Sequence, residues 1–178
     1  LKGANWDVAV GGLGLGYTAA AALEHAEVAS LTVIELFPQV IAWHRKRLVP
    51  LGSALCGDER CRLIERDFFA AAMNPDVGLD PENHGRKYHA ILLDIDHTPS
   101  HQLDSDNESF YTVKGLTTLA ANLHEGGIFG LWSDDPPDAH FTGLLEQVFA
   151  EAEAIVVHFY NPIQDKESRN TVYLAMKA

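Results

Sequence analysis

Short apolar runs alternate with helix-forming segments at the start of the chain. The first run, Asp7 to Val10, is rich in β-branched residues and predicts a buried strand. Four glycines follow, and the alanine-rich segment Thr18 to His25 behind them favours a helix. Leu31 to Ile34 then predicts a second strand, which delivers Glu35 at its end. The order of strand, glycine-rich turn, helix and strand is typical of an open α/β sheet.

The alternation continues through the chain, but its last two apolar runs have no helix between them. These two runs must pair as an antiparallel hairpin, because a parallel pairing needs a long crossover connection. The later predicted strands are Cys61–Ile64, Ala90–Leu93, Ile128–Trp132, Ile155–Tyr160 and Thr171–Met176; the later predicted helices are Pro38–Leu48, Phe68–Ala72, Val113–Leu123 and Phe141–Phe149; Pro50–Arg60, Asn74–Lys87 and Asn161–Asn170 are predicted loops.

The pattern as a whole predicts one α/β domain over residues 1–178. Its sheet has seven strands, is mostly parallel and ends in a C-terminal antiparallel hairpin, with helices on both faces. A dinucleotide-binding domain would continue in strand–helix units to its end. The terminal hairpin therefore favours a Rossmann-like class I methyltransferase fold.

The glycine-rich turn predicts a binding site for a nucleoside cofactor. Gly11, Gly12, Gly14 and Gly16 let the backbone turn tightly and approach a ligand closely. Glu35 follows about twenty residues later, where an acid accepts hydrogen bonds from two ribose hydroxyls. The motif fits both an adenosylmethionine-type ligand and a nicotinamide dinucleotide, and it is also compatible with a purely structural turn. The predicted hairpin favours the adenosylmethionine type.

The net charge narrows the possible partners. The chain has 25 acidic and 13 basic residues, a formal net charge of −12, so we expect no nucleic-acid partner. No stretch is long and apolar enough to span a bilayer, and we expect no membrane partner. Two cysteines are too few for a disulfide framework and indicate a reducing, cytoplasmic location. Leu1 lies almost directly before the first predicted strand, so an N-terminal segment could be missing from this sequence.

Acids follow three further predicted strands, at the edge of the sheet where ligands of α/β folds bind. Asp67, with the adjacent aromatic Phe68, suits an adenine ring; capping the next helix is the alternative interpretation of Asp67. Asp94 is the first of five acids in the segment Tyr88 to Val113, which has no Lys or Arg. A carboxylate here could position an amine and take its proton, although Asp94 could also serve only as a cap. Asp134 follows the fifth strand.

The chain resembles the catalytic domain of spermidine synthases, the polyamine aminopropyltransferases, in VGGLGLGYTAAAALEH, LTVIEL, ERDFF, LLDID and the final hairpin. The resemblance implies transfer of an aminopropyl group from decarboxylated S-adenosylmethionine, a co-substrate rather than a prosthetic group, to a diamine such as putrescine. It implies that Glu35 binds the ribose and Asp67 the adenine amine. It implies that Asp94 deprotonates the amine. We expect Asp96, His97, Tyr111 and Asp134 to line the acceptor site, and we expect a homodimer.

The chain departs from this family at four places. Leu13, Gly14 and Leu15 stand where the family's glycine loop carries an acid for the donor's amine. His97 replaces the family's second loop acid, for which Asp96 could substitute, and Ile163–Gln164 replaces a Tyr–Pro element. The family's small N-terminal β-domain is absent from this sequence.

Three other readings of the sequence remain open. Intact S-adenosylmethionine as donor would make the protein a methyltransferase, which the missing loop acid favours. We expect no metal, although Asp96, His97 and His101 could hold a divalent ion. A nucleoside-binding module without catalysis is the third possibility.

Overall fold

The computed structural model describes residues 1–95, 98–101, 103 and 105–178, and these form one seven-stranded sheet with helices on both faces. No helix among these residues is long and apolar enough to cross a membrane. The elements are β1 (Trp6–Gly11), α1 (Tyr17–Leu23), β2 (Val28–Glu35), α2 (Pro38–Arg45), α3 (Gly52–Gly57), β3 (Cys61–Glu65), α4 (Phe68–Ala72), β4 (Tyr88–Leu93), a 3-10 helix (Ser105–Ser109), α5 (Val113–Ala120), β5 (Leu123–Ser133), α6 (Ala139–Glu146), β6 (Glu151–Asn161) and β7 (Lys166–Met176).

The strand order is β3-β2-β1-β4-β5-β7-β6. The first five strands in the chain pair in parallel, whereas β7 runs antiparallel to both β5 and β6. The predicted fold, a mostly parallel sheet with a terminal hairpin, is therefore confirmed. Strand β1 lies between β2 and β4, so the chain order reverses beside it. Such a reversal opens a crevice beyond the carboxyl ends of the strands, where ligands of α/β sheets bind.

Apolar side chains fill both faces of the sheet, which explains the nearly unbroken apolar runs of the strands. On one face, Val8, Val10 and Leu31 pack with residues of α1, α2 and α3. The other face holds a larger cluster that contains Ala9 and Phe129. Consecutive residues of β1 thus enter opposite clusters, as the two-residue period of a strand requires. This packing fixes the direction in which β1 presents the glycines that follow it.

Several elements differ in their bounds from the sequence prediction. Three of the differences concern a helix within a predicted loop, the end of α5 and the length of the terminal strands. Residues 50–60, predicted as a loop, contain α3, which is held by tertiary packing: Leu55 is buried, and a Cβ on Gly52 would lie 2.7 Å from the carbonyl oxygen of His44. Helix α5 ends at Ala120, because Leu123 already pairs with β4. The terminal strands are longer than predicted, and only residues 162–165 separate them.

The extra length of β7 has a physical explanation. Strand β5 ends at Ser133, opposite Thr171, so residues 166–170 pair only with β6. This part of the hairpin projects past the rest of the sheet, and most of its side chains are exposed. Without a core to face, it lacks the alternation of apolar and polar residues by which a strand is recognised in a sequence.

Candidate functional site

The predicted site residues follow the ends of five neighbouring strands. The glycine-rich turn, residues 11–16, begins at the last residue of β1, and Glu35 ends β2. Asp67 follows β3, Asp94 follows β4, and Asp134 follows β5. Because these five strands are parallel and adjacent, the residues lie at the same edge of the sheet, around the reversal beside β1.

The glycine-rich turn packs closely against the end of β4. Gly12 has a φ of 92°, which favours glycine, and a Cβ on it would lie 2.3 Å from the carbonyl oxygen of Asp94. A Cβ on Gly11 or Gly16 would instead meet side chains, at 2.6 Å from the ring of Phe68 and 2.5 Å from Leu55 respectively. Gly14 also has a positive φ, 47°, but a Cβ there would meet no atom within 4 Å. The turn is therefore packed on its inner side and open at Gly14.

Glu35 braces this turn. Its residue is only 8% exposed, and its carboxylate accepts two backbone hydrogen bonds. Oε2 accepts from the N–H of Leu13 at 3.0 Å, and Oε1 accepts from the N–H of Phe37 at 2.9 Å. A carboxylate has about four lone-pair positions, so each oxygen keeps capacity for one more donor. Glu35 can thus shape the turn and still receive ribose hydroxyls.

Asp67 caps helix α4, as the alternative interpretation of its sequence position predicted. Its Oδ1 accepts from the N–H groups of Phe69 and Ala70, at 2.8 and 3.1 Å. The residue is exposed, and its Oδ2 accepts no hydrogen bond from the described residues. The predicted adenine role is not excluded by the cap, because the second oxygen is available.

Phe68 and Tyr111 are core residues rather than surface residues of the crevice. Phe68 is 2% exposed, and its ring packs edge-on against Phe69 and Phe110. Tyr111 is 8% exposed and packs against Phe110 and Phe141. The expectation that the Phe68 ring stacks on an adenine is not supported by this placement, since the ring has almost no accessible face. Tyr111 likewise offers little surface to an acceptor.

Asp94 is exposed and tied to the glycine-rich turn and to α1. Its backbone N–H donates to the carbonyl of Gly11 at 2.9 Å. Its carboxylate Oδ2 accepts from the hydroxyl of Thr18 at 2.6 Å. Oδ1 accepts no hydrogen bond from the described residues. Asp94 therefore stands at the turn with one carboxylate oxygen open to a ligand.

The remaining acceptor-site residues divide into two groups. Asp134 is exposed, and its Oδ1 accepts from the side-chain amide of Asn170 on β7 at 2.9 Å. Asp96 and His97 lie outside the described residues, as does the greater part of the candidate metal site they would form with His101. His101 itself lies 3.9 Å from the carboxylate of Asp135, at the tip of β5.

The site carboxylates differ from two acids at the opposite edge of the sheet, the half-buried Asp7 and the buried Asp80. There, Arg86 bridges Asp7 and Asp80, and Asp80 also pairs with Arg62. Burial raises the pKa of Asp7, but hydrogen bonds from Ser30 and Arg86 outweigh it and hold the pKa below its ordinary value. By contrast, Glu35, Asp67 and Asp94 make no ion pair with a described Lys or Arg, and their recorded donors are backbone N–H groups or a hydroxyl. Uncompensated acids at one edge favour a cationic ligand.

Two residues that the sequence analysis did not assign to the site also make hydrogen bonds there. Thr18 donates to Asp94, as described above. His44 is fully buried, and its Nε2 donates to the carbonyl of Gly14 at 3.0 Å, because a carbonyl oxygen can only accept. The sequence shows His44 only as one member of the apolar stripe of α2, and Thr18 only as a residue at the start of α1. Neither position carries a signal of its own.

The chain is structurally similar to spermidine synthases. The enzyme from Thermotoga maritima superposes with a TM-score of 0.69 at 18% identity, over 98% of this chain and 54% of that one. A spermidine synthase in complex with the transition-state analogue AdoDATO gives a TM-score of 0.72 at 17% identity, over 97% and 55%. Human methyltransferase-like protein 13 in complex with SAH gives 0.64 at 15% identity, over 97% and 72%.

These similarities establish the fold. Neither a protein-family model nor a curated protein matches the sequence. The chain spans about half the length of the spermidine synthases it matches. The resemblance to spermidine synthases is therefore confirmed at the level of the fold: the chain has the Rossmann-like class I methyltransferase fold that these enzymes share with a methyltransferase.

Proposed function

We propose that the protein is a spermidine synthase-like transferase that moves an aminopropyl group from decarboxylated S-adenosylmethionine to a diamine such as putrescine. The observation that carries the proposal is Asp94, an exposed carboxylate held against the glycine-rich turn with one oxygen open. The similarity of the fold to spermidine synthases supports the same assignment.

The donor fits the charges at this edge of the sheet. Its adenosine would lie along the turn, where Gly14 leaves room, with the ribose hydroxyls donating to Glu35. The free Oδ2 of Asp67 would accept from the adenine amine. The donor's sulfonium is a cation, and the uncompensated carboxylates of Glu35, Asp67 and Asp94 attract it. Once the sulfonium becomes a neutral thioether this attraction falls, which favours release of the nucleoside product.

The acceptor amine reaches the site protonated and cannot attack until it loses a proton. The carboxylate of Asp94 would accept that proton and orient the amine. The nitrogen lone pair then forms a bond to the aminopropyl carbon that carries the sulfonium, and the carbon–sulfur bond breaks with its electron pair passing to sulfur. The products are an elongated polyamine and methylthioadenosine, and the proton leaves Asp94 for solvent.

A methyltransferase is the second candidate, and one observation favours it. The glycine-rich turn presents Leu13, which is buried, and Leu15, which is 51% exposed, and no acid stands between them for the donor's free amine. Intact S-adenosylmethionine would then be the donor and adenosylhomocysteine the product. The same Asp94 chemistry would apply if the acceptor were an amine.

Product analysis separates the two candidates. The purified protein is incubated with decarboxylated or intact S-adenosylmethionine and a panel of diamines, and the nucleoside and amine products are identified by mass spectrometry. The proposal predicts methylthioadenosine together with an amine enlarged by one aminopropyl group, from the decarboxylated donor only. A methylated amine with adenosylhomocysteine would replace the proposal by its alternative. No product from either donor would contradict both.

A further inference from the structure

The hydroxyl of Thr18 joins the first helix to the acid at the end of β4. Thr18 lies in the first turn of α1, directly after the glycines, and it is 76 residues from Asp94 in the sequence. The distance from its Oγ1 to Oδ2 of Asp94 is 2.6 Å, within the range of a hydroxyl that donates to an ionised carboxylate. Such charge-assisted bonds are roughly twice as strong as neutral ones.

Two backbone contacts hold Asp94 against the same turn. Its N–H donates to Gly11, and its carbonyl oxygen occupies the space that a Cβ on Gly12 would need. These contacts fix the main chain of Asp94, but they leave its side chain free to rotate about two bonds. Thr18 supplies the contact that holds the carboxylate itself.

We infer that Thr18 is a positioning residue for the catalytic carboxylate, an inference that rests on the proposed function. The hydrogen bond from Thr18 makes Oδ2 the less basic oxygen, so Oδ1, which accepts no hydrogen bond from the described residues, takes the proton of the amine. Since Thr18 and the glycine-rich turn are consecutive in the chain, the element that would hold the donor also orients the base. The proton acceptor and the carbon that is attacked are thereby kept at a fixed distance and orientation, and in-line transfer depends on both.

Loss of the hydroxyl should reduce the rate of transfer without changing the affinity for the donor. Thr18→Val removes the hydrogen bond at nearly constant shape and lets the carboxylate adopt other rotamers. Misplacement of a reacting group by about 1 Å can cost about 100-fold in rate, and we expect kcat to fall about 10- to 100-fold. Thr18→Ser retains the hydroxyl and should recover most of the rate.

The experiment compares kcat at saturating donor with the affinity for methylthioadenosine from calorimetry. Thr117→Val is the matched control, because the hydroxyl of Thr117 also donates a hydrogen bond, at 2.7 Å to the Val113 carbonyl within α5. We expect unchanged affinity for methylthioadenosine in all variants, a reduced kcat only in Thr18→Val, and recovery in Thr18→Ser. Equal kcat for Thr18→Val and Thr117→Val would overturn the inference while leaving the proposed function intact. An inactive wild type would instead contradict the proposed function.

A double-mutant cycle tests the hydrogen bond independently of turnover. Thr18→Val, Asp94→Ala and the double variant are unfolded in urea. Groups in one hydrogen bond are non-additive, and we expect a coupling of at least about threefold in the unfolding equilibrium constant. Additive effects would show that the bond does not form in solution and would overturn the inference.

Discussion

Replacement of Glu35 by alanine tests the link between the glycine-rich turn and the end of β2. The substitution removes the acceptor of two backbone N–H groups, one in the turn at Leu13 and one at Phe37. The side chain of Leu13 is buried, at 4% exposure, so its N–H has little access to water after the substitution. Phe37 is 58% exposed, and its N–H can be solvated instead. The cost therefore arises mainly at Leu13.

The expected loss of stability follows from these two bonds. A hydrogen bond to a charged group contributes about 1.5–3 kcal/mol, and a buried donor left without an acceptor costs about 1–3 kcal/mol. Burial of the Glu35 carboxylate, at 8% exposure of the residue, itself costs desolvation free energy, and its removal offsets part of the loss in stability. We expect the free energy of unfolding to fall by about 2–4 kcal/mol, and the melting temperature by about 5–15 °C for a chain of this size.

Urea unfolding of wild type, Glu35→Ala and Glu65→Ala measures the effect. Glu65 is a matched control, since it lies directly opposite Glu35 on β3 and is exposed. We expect Glu65→Ala to stay within about 0.5 kcal/mol of wild type. Below its melting transition, Glu35→Ala should also bind methylthioadenosine about 1.5–3 kcal/mol more weakly. A Glu35→Ala variant as stable as Glu65→Ala would refute the bracing role, and unchanged binding would refute the ribose assignment.

Three further predictions concern the turn, the opposite edge of the sheet and the thiols. Gly12→Ala should destabilise far more than Gly14→Ala, for which we expect about 1–2 kcal/mol, because only at Gly12 would the Cβ meet backbone; equal losses in urea unfolding would contradict this. The pKa of Asp7 in the folded protein lies below its ordinary value of 3.8, so Asp7 stabilises the fold above pH 3.8, and this stabilisation is lost as the pH falls through the lower, folded pKa. Asp7→Asn should therefore lose less stability than wild type between pH 6 and pH 2.5. An identical loss would refute the assignment. Burial raises the pKa of the Cys61 thiol to about 12, whereas Cys56 is exposed. A thiol reagent at pH 8 should therefore label Cys56 rapidly and Cys61 only in denaturant. Rapid labelling of both cysteines would contradict the structure.

The fold could be predicted from the sequence because its signals are local. The strands have nearly continuous apolar runs, the first turn has its glycines, and two adjacent strands without a helix between them can only form a hairpin. Helix α3 and the outer part of β7, residues 166–170, were missed for the opposite reason. The first depends on the packing of Gly52 against His44, and the second on pairing without a core, and neither leaves a periodic pattern.

The candidate site could be predicted in part, for a related reason. An acid at the end of a parallel strand must lie at the ligand edge, so the positions of Glu35, Asp67 and Asp94 follow from topology alone. An aromatic residue beside such an acid can point either way, and Phe68 enters the core. The contact of Thr18 with Asp94 depends on how α1 packs near β4, which no spacing along the chain reveals.

The most direct test of the proposed reaction is the turnover of Asp94→Asn. The amide keeps the size of the side chain and can still accept from Thr18, but it cannot take a proton from the amine. Wild type and variant are compared at saturating decarboxylated S-adenosylmethionine with putrescine, by release of methylthioadenosine, and donor affinity is measured by calorimetry. Loss of a general base costs about 10²- to 10⁴-fold in rate, so we expect kcat to fall by that factor. The donor affinity should fall far less, because only one of the attracting carboxylates loses its charge. An active wild type whose Asp94→Asn variant retains more than about a tenth of its rate would contradict the assignment of Asp94 as the base.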